Sequence, residues 1–380
     1  MLNKKATNPF KPTAGAEPPV LIGRDKAIRD FVDGLEEGVG SPGRLMRITG
    51  PRGSGKTVLL TELGDEARKR GWLVIDETAR SGLVQAISDS LSRSITEADA
   101  SVGIDLGILK AEARVGRGSG SGSFRSVLTS ASGRIGKKGI LITVDEVQDA
   151  DRDDIAEIAI AVQHLIREGR NVAFVFAGIT TGVMDFINDS SLTFLRRAKA
   201  EELGPIPIDE VARALSRSFS STGMEIGGRV LSATAEATHG YAYLIQLVGY
   251  NVWRECRGHI GDSAEVSVDD VTAGARVAAD EYAESVLLPA LKGVTERAMR
   301  YLIEMSKSDG PSSTGKIAKG MGVSSTSLTS ARRSLISRQI IEPTARGYVD
   351  FSLPVMREYI HRNQEDLLSR FGQASASSSS

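Results

Sequence analysis

The chain has 380 residues, 41% of them hydrophobic and 25% charged, and its formal net charge is −1. This length predicts two or three domains, and the near-neutral charge excludes a chain-wide attraction to nucleic acid or to a membrane. Because Cys256 is the single cysteine, an intramolecular disulfide is also excluded.

The N-terminal segment MLNKKATNPFKPTAGAEPPV contains two lysines but no apolar core behind them. A signal peptide needs such a core, so this segment is not expected to be one. No run in the chain approaches the ~18 apolar residues that a membrane span requires. We therefore expect a cytoplasmic protein with no membrane partner.

A glycine-rich loop separates a predicted strand, RLMRIT, from a predicted helix that ends at Gly71. The loop fits the phosphate-binding pattern G-x-x-x-x-G-K-[ST]. Its glycines let backbone N–H groups approach phosphate oxygens, and the helix N-terminus favours negative charge. We predict that it binds ATP, with Lys56 at the β and γ phosphates and Thr57 at Mg²⁺. The predicted nucleotide-binding residues are Gly50, Pro51, Arg52, Gly53, Ser54, Gly55, Lys56 and Thr57. The alternative is a chance glycine turn, which does not explain both flanks.

The apolar run from Ile140 to Val144 predicts a strand buried on both faces, beside the strand that leads into the loop. It ends in Asp145 and Glu146. Asp145 is predicted to hold Mg²⁺ through water, and Glu146 to polarise the water that attacks ATP. The alternative is an acidic turn that opens a helix. The acidic residues between 149 and 154 fit that alternative better.

Two further features each leave two interpretations open. Thr180 ends the next predicted strand, where it either contacts the γ phosphate or caps a helix. Arg196 and Arg197 end a short helix. One of them completes a neighbouring subunit's site as an arginine finger in a homo-oligomer, or both compensate the helix C-terminus. Before these, residues 101–115 suggest a hairpin, and the Gly/Ser-rich stretch up to Ser123 suggests a flexible loop.

The C-terminal part has the layout of a helix-turn-helix followed by a two-stranded wing. Thr295 is the predicted N-cap of its first helix, and SVDD at 267–270 predicts a capping box earlier in the chain. Residues 311–349 contain six basic residues and one acidic residue, which gives this segment a local charge of +5. This charge predicts binding to double-stranded DNA. The candidate contacts are Lys316, Ser325, Arg332, Arg333, Arg338 and Arg346. The alternative is a winged helix that binds protein or covers the ATPase.

The order of these motifs resembles the AAA+ ATPases, in the clade of archaeal origin-recognition initiators and archaeal-type STAND ATPases. VLIGRDKAIRDF resembles the N-terminal segment that lies beside the adenine, which implies nucleotide contacts by Val20 and Ile22. THGYAYLIQLVGYNVW resembles the helical lid and implies that Gly240 lies near the nucleotide. Here Gly240 is followed by Tyr241 and Ala242 instead of the STAND proline, and no arginine follows before Tyr250.

We therefore predict an α/β fold: a P-loop NTPase with a parallel sheet flanked by helices, then an all-helical lid and a C-terminal winged helix-turn-helix. The predicted segments are a flexible 1–17, an ATPase core 18–205, a lid 206–288, a winged helix 289–362 and a disordered tail 363–380. The predicted function is Mg²⁺-dependent ATP hydrolysis that couples the ATP or ADP state to DNA binding. The alternative is a slowly hydrolysing, nucleotide-gated switch or scaffold whose winged helix binds a protein partner. Glu146 favours the first function, and the missing lid arginine favours the second.

Overall fold

The computed structural model describes residues 7–13, 22–102, 123–136, 138–188, 190–258 and 265–369. The chain folds into two compact units. The first unit contains Leu21–Gly50 and Ser54–Gly204, and the second contains Met1–Val20, Pro51–Gly53 and Pro205–Ser380. Val20 and most of the predicted hairpin and Gly/Ser-rich loop, residues 103–122, lie outside the described residues.

The first unit is built on a parallel sheet of five strands in the order β2-β3-β4-β1-β5. The strands are β1 (Leu45–Thr49), β2 (Leu73–Thr78), β3 (Ile140–Asp145), β4 (Val172–Gly178) and β5 (Lys199–Glu202). The predicted parallel α/β sheet is therefore confirmed. The expectation that the Asp145 strand lies directly beside the loop's strand is wrong, because β4 pairs with both and separates them. Spacing along the sequence does not encode this order, since β4 follows β3 in the chain.

Helices cover both faces of this sheet. They are α1 (Asp25–Glu37), α2 (Lys56–Lys69), α3 (Leu83–Val102), α4 (Phe124–Ile135), α5 (Arg152–Arg167) and α6 (Thr180–Ile187). Alternate residues of β3 enter opposite cores: Ile142 packs in the core that includes α5, and Leu141 in the core that includes α2. Because both faces are buried, the strand is mostly apolar from Ile140 to Val144, as its sequence indicated.

From Pro205 onward the second unit begins with a bundle of helices. These are α7 (Ile208–Ser221), α8 (Gly228–Glu236), α9 (Ala242–Gly258) and α10 (Val268–Tyr282), with short strands β6 (Glu225–Ile226) and β7 (Glu265–Val266). The predicted capping box is confirmed, because Ser267 and Asp270 cap the start of α10 reciprocally.

The prediction of a flexible segment 1–17 is wrong for its described part, residues 7–13. The Phe10 side chain is 2% exposed, and its ring packs against Phe219 in a tilted arrangement, with 5.2 Å between centroids. The Asn8 amide also donates to the Tyr250 carbonyl at 3.0 Å. One aromatic side chain among polar neighbours gives no periodic pattern, so the sequence did not reveal this anchor.

The C-terminal part of the second unit combines helices with a small antiparallel sheet in the order β8-β10-β9. Its strands are β8 (Ser312–Ser313), β9 (Ile341–Ala345) and β10 (Tyr348–Phe351). Its helices are α11 (Leu288–Leu291), α12 (Glu296–Ser306), α13 (Thr314–Gly320), α14 (Thr329–Ser337) and α15 (Met356–Arg362). Thr295 caps α12 as predicted, accepting from the Ala298 N–H.

The predicted disordered tail starts too early. Residues 364–369 are helical and the Leu367 side chain is 2% exposed, because this apolar residue packs into the fold. Residues 370–380 lie outside the described part. None of the helices in that part combines the length and hydropathy that a membrane crossing requires.

Candidate nucleotide site

The glycine-rich loop connects the end of β1 to the first turn of α2. Gly55 precedes α2 in a left-handed conformation, with φ 94°. At Gly50 a side chain is excluded, because a Cβ atom there would lie 2.8 Å from both the Leu203 carbonyl oxygen and the Ser54 hydroxyl. The chain can therefore turn this tightly only with glycine at these positions. The positive end of the helix dipole at the start of α2 favours an anion there.

Two polar side chains of the loop are buried within it. Lys56 is 5% exposed, and its ammonium group donates to the Gly50 carbonyl at 3.1 Å. The Ser54 hydroxyl is buried and finds no hydrogen-bond partner among the described residues. A buried ammonium beside an unsatisfied hydroxyl at a helix N-terminus is a suitable environment for phosphate oxygens. The loop therefore fits the phosphates of a nucleotide.

The two residues predicted to hold magnesium lie side by side in the first unit. The Thr57 hydroxyl donates to Asp145 Oδ2 at 2.5 Å, and Asp145 Oδ1 accepts from the Glu146 N–H at 2.9 Å. Mg²⁺ prefers oxygen ligands and is usually held by one or two protein side chains together with phosphates and water. The Thr57 and Asp145 pair, next to the phosphate-binding loop, fits that ion.

Glu146 has an unusual backbone conformation and a partner that the sequence analysis missed. It is one of the non-glycine residues with positive φ, at 50°. It opens a 3₁₀ turn, Val147–Asp149, directly after β3. Gln148 in that turn donates from Nε2 to Glu146 Oε2 at 2.6 Å, and its Oε1 accepts from the Ile179 N–H at 3.0 Å. The interaction links the ends of β3 and β4.

Thr180 is the first residue of α6, at the carboxyl end of β4. The N-cap of that helix is Ile179, and no side chain caps it, so the structure does not support the helix-cap interpretation of Thr180. Because β4 lies between β3 and β1, Thr180 follows a strand whose neighbours lead to Asp145 on one side and to Gly50 on the other. The contact with γ phosphate remains a prediction for this residue.

Arg24 is a second residue that the sequence analysis missed. Its guanidinium group is buried and donates to the carbonyls of Ser54, at 3.2 Å, and Gly204, at 3.3 Å. It therefore supports the loop from inside the first unit. The resemblance pointed to the segment that contains it but singled out Val20 and Ile22. Ile22 is half-buried in the structure, and Val20 is outside the described residues.

Arg196 and Arg197 differ in their surroundings. Arg196 donates from Nε to the Ile187 carbonyl at 2.9 Å and from Nη2 to the Asn188 carbonyl at 3.2 Å. These carbonyls end α6, so Arg196 compensates a helix C-terminus, which was the alternative interpretation. The Arg197 side chain is exposed.

Gly240, in the second unit, has a structural reason to be glycine. Its φ is 69°, and a Cβ atom there would lie 2.2 Å from the Ile206 carbonyl oxygen. The Gly240 carbonyl also accepts from the Ile206 N–H at 2.8 Å. Close backbone approach therefore explains this residue, and the predicted nucleotide contact is not needed to explain it.

The residues that follow Gly240 contact the loop tip, Pro51–Gly53, which belongs to the same unit. The Tyr241 hydroxyl donates to the Arg52 carbonyl at 2.5 Å, and the Tyr243 N–H donates to the Gly53 carbonyl at 3.2 Å. Burial raises the pKa of Tyr241, so its hydroxyl stays protonated and can donate at neutral pH. The sequence showed only that Tyr241 and Ala242 follow Gly240 and that the expected proline is missing.

The candidate DNA-binding residues divide into two groups. Lys316, Ser325, Arg333 and Arg346 are exposed. Arg338 instead donates to the carbonyls of Lys292, at 2.8 Å, and Gly293, at 3.0 Å. Arg332 is half-buried, and its Nε is buried. Arg338 therefore bonds to its own domain and Arg332 is partly covered, and the contact with DNA remains a prediction for all six residues.

Comparison with known proteins agrees with this fold. A family profile described as the AAA ATPase domain matches residues 20–175, and one described as a domain of unknown function (DUF8462) matches residues 284–360. The Walker-type ATPase PABY2304 of Pyrococcus abyssi is 17% identical, with a TM-score of 0.65 over 89% of this chain and 95% of its own. The Aeropyrum pernix ORC2 protein, solved as ADPNP–ADP complexes, is 14% identical, with a TM-score of 0.60 over 96% and 98%.

At these identities the solved structures establish that this chain shares their fold, and nothing beyond the fold. No curated protein is significantly similar in sequence. Residues 20–175 form an AAA ATPase domain, and the protein is an ATPase. The predicted resemblance to AAA+ ATPases is confirmed at this level.

Proposed function

We propose that the protein hydrolyses ATP to ADP with Mg²⁺ held by Thr57 and Asp145. The observation that carries the proposal is the 2.5 Å contact between these two side chains, with Glu146 as the next residue. Mg²⁺ would neutralise the charge that develops on the β and γ phosphates. Lys56 binds those phosphates, Glu146 accepts a proton from the attacking water, and Thr180 contacts the γ phosphate.

We propose that Arg197, and not Arg196, acts as the arginine finger in a homo-oligomer. Arg196 is occupied by the carbonyls that end α6, whereas Arg197 is exposed close by on the same turn. A guanidinium that reaches a neighbouring nucleotide must be free of its own subunit. Arg197 therefore suits the role better.

Arg197→Ala should lower ATP turnover at least about tenfold at protein concentrations that support assembly. This factor is smaller than the rate enhancement that arginine fingers usually contribute. Arg196→Ala is the matched control and should change turnover less. Mixing Arg197→Ala with Glu146→Gln should restore part of the activity, because one variant supplies the finger and the other the intact site. Full activity of Arg197→Ala, or no recovery on mixing, would argue against the proposal.

We propose that residues 289–362 form a winged helix that binds double-stranded DNA under control of the nucleotide state. Helices α12, α13 and α14 with the β8-β10-β9 sheet support the first part. The exposed Lys316, Arg333 and Arg346 support the second, because exposed cations attract phosphates, and the exposed Ser325 hydroxyl can donate to a phosphate oxygen. We further propose an ATPase core at 18–205, a helical lid at 206–288 and a cytoplasmic location.

The double variant Arg333→Ala/Arg346→Ala should weaken binding to a mixed-sequence DNA duplex. Each lost phosphate contact should lower the slope of log affinity against log salt by about one. Arg297→Ala/Arg300→Ala removes the same charge from exposed positions on α12 and should change neither quantity. Fluorescence anisotropy between about 50 and 200 mM salt measures both. Equal affinities of the two double variants would contradict the DNA-binding face.

A second candidate is the slowly hydrolysing switch or scaffold whose winged helix binds a protein. The hydrogen bonds of Arg338 to carbonyls of its own domain favour it, since fewer cations then remain for DNA. It predicts tight nucleotide binding, negligible turnover and no salt-dependent affinity for duplex DNA. The same titration therefore separates the two candidates.

A further inference from the structure

The proposed catalytic base, Glu146, lies in a turn that constrains it from several sides. Its backbone has φ 50°, a left-handed conformation that is unfavourable for a residue with a side chain. The turn is closed by the Asp149 N–H, which donates to the Glu146 carbonyl at 2.8 Å, and by the Ala150 N–H, which donates to the Val147 carbonyl at 3.2 Å. Such a conformation persists only where neighbouring groups support it.

Gln148 uses both ends of its side-chain amide in this turn. Nε2 donates to Glu146 Oε2 at 2.6 Å, and Oε1 accepts from the Ile179 N–H at 3.0 Å. A carboxylate can only accept and a backbone N–H can only donate, so the two partners fix which end of the amide faces which. The bond to a charged carboxylate is also of the stronger kind.

Two glycines make room for this glutamine. A Cβ atom on Gly178 would lie 2.5 Å from Gln148 Oε1, and one on Gly182 would lie 2.4 Å from Gln148 Cβ. Neither glycine has a positive φ, so backbone conformation does not require glycine at either position. The space that Gln148 occupies therefore explains why both positions are glycine.

The Ile179 N–H that Gln148 accepts from lies at the end of β4, beside the strand that leads into the nucleotide-binding loop. Gly178 is paired in register with Thr49, the residue before Gly50. Ile179 precedes Thr180, the predicted γ-phosphate contact. A single side chain therefore connects the proposed base to the strand end that borders the loop.

We propose that Gln148 is a positioning residue for ATP hydrolysis. It holds Oε2 of Glu146, so that the other carboxylate oxygen faces the attacking water in a fixed direction. Its second hydrogen bond, to the Ile179 N–H, fixes the position of Gln148 relative to the end of β4. This proposal rests on the proposed role of Glu146 as the base. Gln148 would only orient the base, because Gln148 itself neither takes up nor releases a proton.

The test uses the full-length protein and two variants. Gln148→Glu keeps the size of the side chain but removes the N–H donor and places two carboxylates together. Gly182→Ala leaves Gln148 chemically intact but displaces it. Each should lower kcat for ATP about 10- to 100-fold, as misplacement of a catalytic group does, with ATP affinity and thermal unfolding temperature nearly unchanged. Gln163→Ala, at an exposed position of α5, is the control and should match the wild type.

Two results would overturn the proposal: kcat within about twofold of wild type in both variants, or a fall in kcat matched by lost ATP affinity and lower unfolding temperature. The second result would show a purely structural residue. Glu146→Gln, measured in parallel, tells which idea fails. If it remains active, the proposed base is wrong. If it is inactive while the Gln148 and Gly182 variants keep their kcat, only the positioning role is wrong.

Discussion

Glu146→Gln is expected to lower ATP turnover by about 10²- to 10⁴-fold while ATP binding is retained. The change replaces a proton acceptor with an amide that cannot accept a proton, and it keeps the size of the side chain. The Asp145 carboxylate, the Thr57 hydroxyl and the loop that contains Lys56 are untouched by it. Binding and hydrolysis should therefore separate in this variant.

Asp149→Asn is the matched control, because it removes one negative charge from the same turn and its side chain is exposed. Turnover of that variant should stay close to the wild-type value. Steady-state phosphate release measures hydrolysis, and titration with a fluorescent ATP analogue measures binding. Undiminished turnover in Glu146→Gln would show that another group activates the water.

Lys56→Ala is expected to weaken ATP binding by about 100-fold or more. Lys56 is 5% exposed, and its ammonium bonds to the Gly50 carbonyl inside the loop that is proposed to bind the phosphates. A hydrogen bond to a charged group contributes about 1.5–3 kcal/mol, and every ~1.4 kcal/mol is a factor of ten in affinity. Because Lys56 contacts more than one phosphate in the proposed complex, the binding free energy lost with it should lie at the upper end of this range.

Lys69→Ala on the same helix provides the comparison. Lys69 lies at the exposed end of α2, where it pairs with Glu66 at 2.7 Å, and an exposed pair of this kind contributes little to stability. ATP at about 100 times its dissociation constant should stabilise the wild type and Lys69→Ala by about 2.7 kcal/mol. The same ATP concentration should barely stabilise Lys56→Ala. Equal ATP-induced shifts in unfolding temperature for the two variants would contradict the assignment of Lys56.

The parts of the site that could be predicted from sequence are those made by short contiguous segments. The glycine-rich loop is flanked by a strand and a helix within about twenty residues, so its context could be checked in the sequence itself. The Asp145 and Glu146 pair was found because an apolar run ended there. The structure brings Thr57 to Asp145 although the two are 88 residues apart, and only knowledge of how such loops bind Mg²⁺ linked them.

The residues that were missed act through partners distant in the chain. Gln148 meets Ile179, 31 residues later, and Arg24 meets Ser54, 30 residues later. The hydrogen bond of Arg338 was missed for the same reason, since its carbonyl partner Lys292 lies 46 residues earlier. The partner of a polar residue on a turn cannot be predicted from sequence periodicity. Composition and spacing could therefore identify these side chains only as exposed charges or loop residues.

The most direct test of the account is the steady-state ATP turnover of the wild-type protein, measured with Mg²⁺ or with EDTA, and with or without a DNA duplex. Thr57 and Asp145 hold the metal in the proposed mechanism, so turnover should require Mg²⁺ and vanish with EDTA. Coupling to the winged helix predicts that the duplex raises the Mg²⁺-dependent rate. Turnover that persists in EDTA, or tight ATP binding without turnover in any condition, would contradict the account.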